Sequence, residues 1–138
     1  MPGSITFTKS SKGEGSRMIG KLTWQSEEYN VVTGGYGKGA IPDGNYDIEV
    51  RRVAIGNSGN MASGFINPST KIGWFIPLTP QFNTSRYGFG IHPDGNLPGT
   101  KGCLGIQGDD IEKFWGKWLN TPLRTRPSSL RVITELDE

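Results

Sequence analysis

Two side chains in this chain have the chemistry of a nucleophile and its base. His92 is the only histidine and Cys103 the only cysteine. Both fall in "GFGIHPDGNLPGTKGCLGIQ", residues 88–107, with ten residues between them. A thiol attacks carbonyls only once it has lost its proton, and an imidazole within hydrogen-bonding reach can take that proton. The intervening "PDGNLPGTKG" is rich in turn residues, and Asp94-Gly95 is a strong turn signal. Such a loop can return the chain and set the two side chains on neighbouring strand ends. A bland reading stands beside this one. Cys103 would be a small buried hydrophobe opening a strand, and His92 a turn residue before Pro93. The residues alone leave both open.

The elements that would position the pair read mainly as strands. "SITFTKS" alternates at Ile5 and Phe7, and "MIGKLTWQ" and "YNVVTGG" follow as a meander with Ser26, Glu27 and Glu28 between them. "IPDGNY" is a turn: Pro42 presets one backbone dihedral and Gly44 accepts a positive one. The next strand puts Tyr46, Ile48 and Val50 on one face and Asp47, Glu49 and Arg51 on the other. "GNSGNMASGFINPSTKIG" reads as loop. "WFIPLTP" reads as a strand that lies at an edge or ends at Pro77. "RYGFGIH" and "SLRVITEL" are the last strand candidates. One helix is expected over 109–120, where Ile111, Phe114, Trp115, Trp118 and Leu119 form a core-facing stripe. Asp109 and Glu112 fit a capping box at its start.

Composition narrows the function classes. The 138 residues make one domain, 1–138, with 21 glycines and 9 prolines punctuating short apolar runs. The net charge of +2 comes without a dense basic block, which argues against nucleic acid as a partner. One cysteine excludes an internal disulfide and a multi-thiolate metal site, so no metal and no cofactor are expected. No stretch approaches the ~20 apolar residues of a membrane span. The first residues lack the apolar run of a signal peptide, so synthesis in the cytoplasm is expected.

The residues flanking the pair carry a family resemblance. Thr100-Lys101-Gly102-Cys103-Leu104 resembles the nucleophile motif of the L,D-transpeptidase family, and Gly90-Ile91-His92 resembles its upstream histidine motif. Residues 40–48, "AIPDGNYDI", are similar to the turn and strand before the site in that family. Lys101 stands where the family commonly has histidine, and Gly105 where an arginine often follows. The resemblance implies a β-sandwich-like catalytic domain with Cys103 as nucleophile and His92 as base. It makes the Pro93 backbone carbonyl the third member. The amides of Gly102 and Cys103 are the candidate oxyanion donors.

Thr100, Lys101, Arg86 and Tyr87 are candidate substrate contacts. Each also has a plainer role open to it: a turn residue for Thr100, a solvated side chain for the others. The implied substrate is a peptidoglycan stem peptide, cut or exchanged at meso-diaminopimelate–D-Ala. The compact form resembles small effectors delivered by type VI secretion. That adds an immunity protein and secretion machinery as partners and the periplasm of a target bacterium as the place of action. A reactive thiol here is expected to alkylate readily near neutral pH. Two other classes remain. One is a non-catalytic β-rich module that holds murein or glycan on Trp24, Trp74 and Tyr36. The other is a structural phage component.

Overall fold

The computed structural model describes residues 3–35, 39–57, 59–95 and 102–136. Among these it is mainly β with one α-helix, as the alternation and the single amphipathic stripe predict. Strands β1 (Ser4–Lys12), β2 (Met18–Trp24) and β3 (Glu27–Thr33) form the expected antiparallel meander. The turn between β2 and β3 is tighter than expected. Glu27 and Glu28 already pair with Trp24 and Thr23, and Gln25 takes a φ of 58° to close the turn.

The remaining strands are β4 (Gly44–Ile48), β5 (Ala54–Asn57), β6 (Ile72–Pro80), β7 (Gly90–Pro93), β8 (Leu104–Ile106) and β9 (Ser129–Thr134). Their order is β4-β9-β1-β2-β3-β8-β7-β6-β5, and β4 also pairs with β6. The sheet therefore closes on itself, with β5 outside the ring. Two neighbours are parallel, β1 with β9 and β7 with β8. β5 takes up part of the segment expected as loop. β6 takes its last two residues, Ile72 and Gly73, and between the strands the described residues hold one 3-10 turn, Ser63–Phe65.

Pro77 does not end its strand. Its carbonyl accepts from the Glu49 amide at 2.9 Å, so its missing N–H faces the same edge. On that edge β4 has finished at Ile48, opposite Leu78, and β5 has yet to begin at Ala54, opposite Phe75. The proline sits where the strand changes partners, and no ladder bond is lost.

The inward faces of the closed sheet supply the core, including Phe7, Leu22, Val31, Tyr46, Ile76, Ile91, Leu104 and Leu130. Helix α1 (Asp110–Asn120) lays Ile111, Phe114 and Trp118 against it. Phe114 meets Trp24, Tyr29 and Trp74 at ring separations of 5.7, 5.4 and 5.6 Å, and Trp74 stacks on Trp115 at 4.7 Å. Leu119, expected in the stripe, is half exposed. The capping box does not form, because Asp109 is itself in helical conformation and its side chain makes no cap bond. Asp110 instead accepts from the Asn30 amide at 2.7 Å, tying the helix start to β3. No described helix is long and apolar enough to cross a membrane.

Candidate active site

The imidazole lies on β7 and the thiol on the residue just before β8, the parallel strand beside it. His92 pairs with Gly105 across β7 and β8, and Ile91 pairs with Leu104. Ile91, Leu104 and Ile106 point into the core. The alternate residues Gly90, His92, Cys103 and Gly105 therefore share the other face. Continued by one step, the register sets Cys103 beside Gly90. β7 and β8 run parallel, so they are not the two arms of a hairpin, and residues 96–101 between them lie outside the described residues. Gly105 lies directly beside His92 and offers it no side-chain contact.

His92 is held in one tautomer. Its Nδ1 is 2.6 Å from the Pro93 carbonyl oxygen. A carbonyl only accepts, so Nδ1 carries the proton and Nε2 keeps its lone pair. The ring is 3% exposed and clamped between aromatics. Phe65 lies 4.5 Å away, and Phe75 stacks at 6.0 Å with 13° between the planes. Phe75 is placed by register, since Ile76 pairs with Ile91 and the next step puts Phe75 opposite His92. Gly90 makes room for it: a Cβ there would fall 2.2 Å from the Phe75 ring. Burial among these rings pushes the imidazole down to about 4, against the pull of the Pro93 carbonyl.

Cys103 is also buried, at 7% exposure. Its S–H donates to the Gly88 carbonyl at 3.4 Å. Burial pushes the thiol up to about 11, outweighing the Gly90 amide and the charge of Arg86, which both favour the thiolate. The resting pair at neutral pH is therefore a neutral thiol and a neutral imidazole. Ready alkylation near neutral pH does not fit such a pair. Gly102 precedes the thiol with φ at +101°, a backbone state that favours glycine and turns the chain just before the nucleophile.

Arg86 is not a solvated surface residue. Its guanidinium is half-buried and donates to the carbonyls of Ala40 and Gly39, both at 2.9 Å. It also lies 5.5 Å over the Phe89 ring. Nothing in the pattern of the sequence connects residue 86 to residues 39 and 40. Tyr87 is 91% exposed and points to solvent. Thr100 and Lys101 lie outside the described residues, as does Tyr36. The stacking surface expected of a glycan-binding module is absent from its other two members. Trp24 and Trp74 are 5% and 1% exposed and belong to the core around Phe114.

The sequence singles out His92, Cys103, Pro93 and Gly102, and these lie together on β7 and just before β8. Phe65 and Phe75, which set the state of the imidazole, were not among the expected site residues. A glycine two positions before the histidine is the one local hint that a bulky neighbour crosses there. Among the described residues no three His, Cys, Asp or Glu side chains are grouped as metal ligands. Comparison of this chain with protein-family models, curated proteins and solved structures returns no match.

Proposed function

We propose that the protein is a cysteine-dependent enzyme acting on peptidoglycan stem peptides, as an L,D-carboxypeptidase or by L,D-transpeptidase exchange at meso-diaminopimelate–D-Ala. The observation that carries this reading is the His92 Nδ1–Pro93 contact on the strand beside Cys103. It commits one imidazole nitrogen to orientation and leaves Nε2 as a base on the face the thiol shares. A histidine serving only a turn has no need of a fixed tautomer inside an aromatic clamp.

The chemistry follows from the neutral pair. As sulfur attacks the carbonyl carbon of the diaminopimelate L-centre, Nε2 takes the thiol proton and the carbonyl oxygen gains the negative charge. The amides of Gly102 and Cys103 are the candidate donors for that oxygen. When the C–N bond breaks, Nε2 returns its proton to the departing D-alanine amine and a thioester remains. Water attacking the thioester, with its proton passing to Nε2, gives the shortened stem and restores the thiol. A D-amino acid attacking instead gives exchange, and an amine from a second stem gives a cross-link. A role as an antibacterial effector, with an immunity protein as partner, extends the same reading. Murein is the substrate, so the place of action is where murein lies.

Incubation of purified muropeptides with the protein, read by mass spectrometry with and without added D-amino acid, tests the proposal. Loss or replacement of the terminal D-alanine, absent with Cys103→Ala, is the expected result. Unchanged muropeptides with the folded wild-type protein would refute it. No structural observation favours the binding-module or phage-component readings.

A further inference from the structure

We infer that Arg86 receives the free terminal carboxylate of the residue that leaves. This rests on the covalent reading of Cys103 and adds to it the side chain that recognises the terminal carboxylate and makes binding depend on it.

Arg86 is anchored from one side. Its two terminal nitrogens bond the Ala40 and Gly39 carbonyls, and those carbonyls belong to a pinned segment. The Ile41 amide donates to Thr33 at 2.9 Å, the Ile41 carbonyl accepts from Lys9 at 2.7 Å, and the Pro42 carbonyl accepts from Tyr46 at 2.6 Å. The guanidinium plane is therefore fixed before any ligand arrives. It also abuts the nucleophile's backbone, since a Cβ on Gly102 would fall 2.2 Å from Nη2. Gly102 is the residue before Cys103.

Among the described residues no carboxylate forms an ion pair with Arg86. The ion pairs among the described residues join Lys9 to Asp43, Arg17 to Glu14 and Lys117 to Glu27. Two neutral carbonyls are its hydrogen-bonded partners. The charge favours the Cys103 thiolate, but burial outweighs it and the thiol keeps its proton. A partly buried guanidinium whose described partners are neutral carbonyls keeps its charge available to an anionic ligand. A guanidinium has five N–H donors in a planar fork that matches a carboxylate.

Reach selects which carboxylate. In a substrate attacked at its penultimate residue, the terminal carboxylate carbon is three bonds past the attacked carbon, about 4 Å away. A group seated against the residue before the nucleophile suits that spacing. A substrate cut in mid-chain would bring a neutral amide to the same place and leave the cation unpaired.

The test uses the full chain carrying Cys103→Ala and two synthetic stem tetrapeptides, one ending in the D-alanine carboxylate and one in its carboxamide. Calorimetry should show the acid binding about 30-fold more tightly than the amide, in line with a charge-assisted pair. The ratio should fall below about 3-fold when Arg86→Gln is added and recover in part with Arg86→Lys. Equal affinities for acid and amide, or binding of neither, would overturn the inference. That comparison is made with Arg86 in place, so it decides even if an Arg86 variant fails to fold. Turnover by wild type separates the two proposals. Equal cleavage of acid and amide sinks the role of Arg86 and leaves the enzyme standing. Selective acid binding without cleavage sinks the enzyme and, with it, the assignment to a leaving residue.

Discussion

Raising the pH through the alkaline range should convert Cys103 from a protected thiol into a thiolate, and its alkylation rate reports where that happens. An ordinary cysteine, with a pKa near 8.5, is about 3% thiolate at pH 7. Cys103, pushed up to about 11 by burial, is thiolate in about one molecule in 10⁴. That is about a 300-fold deficit. A thiolate of higher pKa is the better nucleophile, by a factor of about 15 over such a span. The net expectation is alkylation about 20-fold slower than a free cysteine at pH 7, before any loss from restricted access. The rate should climb about tenfold per pH unit and bend near 11. Iodoacetamide labelling, quenched at intervals and read by intact mass, measures it against a cysteine peptide in the same buffer. A rate at pH 7 equal to the peptide's, or a bend below 8.5, would refute the reasoning. Either would mean that the folded site already holds a thiolate–imidazolium pair.

Other consequences can be checked with the folded protein. His92 titrates at about 4 when folded and near 6.5 when unfolded, so between those values the unfolded chain binds more protons. Stability is then full above pH 6.5 and falls as the pH drops toward 4, by about 2 kcal/mol at pH 5 and about 3 at pH 4. Urea unfolding of wild type and His92→Gln should show that loss in the wild type only, over a carboxylate background common to both. Gly90→Ala drives a methyl into the Phe75 ring and should cost about 1–3 kcal/mol. Because it loosens the clamp, it should also raise the imidazole's titration point toward 6.5 by NMR. Phe114→Ala removes the ring shared by Trp24, Tyr29 and Trp74 and should cost about 3–5 kcal/mol in denaturant melts.

Local patterns were legible in the sequence, and long-range placement was not. The alternation of Tyr46 and Ile48 with Asp47 reports a half-buried strand because a pleat has a period of two. Ile111, Phe114 and Trp118 report a helix because three positions one turn apart must share a face. Type and spacing offered His92 and Cys103 on neighbouring strand ends as one of two open readings, and Pro93 and Gly102 entered with the family resemblance of the motifs around them. The parallel run of β7 beside β8 was not legible, since register between segments that form no hairpin leaves no local trace. Pro77 misled for the same reason: whether a missing N–H matters depends on which strand lies opposite, and there the partners change. Phe65 sat in a segment whose small and polar residues read as loop, yet it packs on the imidazole. Arg86 gave no sign of its anchoring, because its hydrogen-bonded partners are backbone carbonyls that any sequence would offer.

The closure of the sheet has a kinetic consequence. β9 is the link between β1 and β4, and it pairs in parallel with β1 from Ser4 opposite Ser129 to Lys9 opposite Thr134. More than a hundred residues separate the partners, so their contact is won only after a large loss of chain entropy. Until β9 docks, β1 and β4 each present an unpaired edge, and such edges recruit strands from other molecules. Refolding should therefore be slow for a chain of this size and sensitive to protein concentration. Substitutions in β9 should depress the yield of folded protein more than the same changes in the β2–β3 hairpin, whose partners are neighbours along the chain.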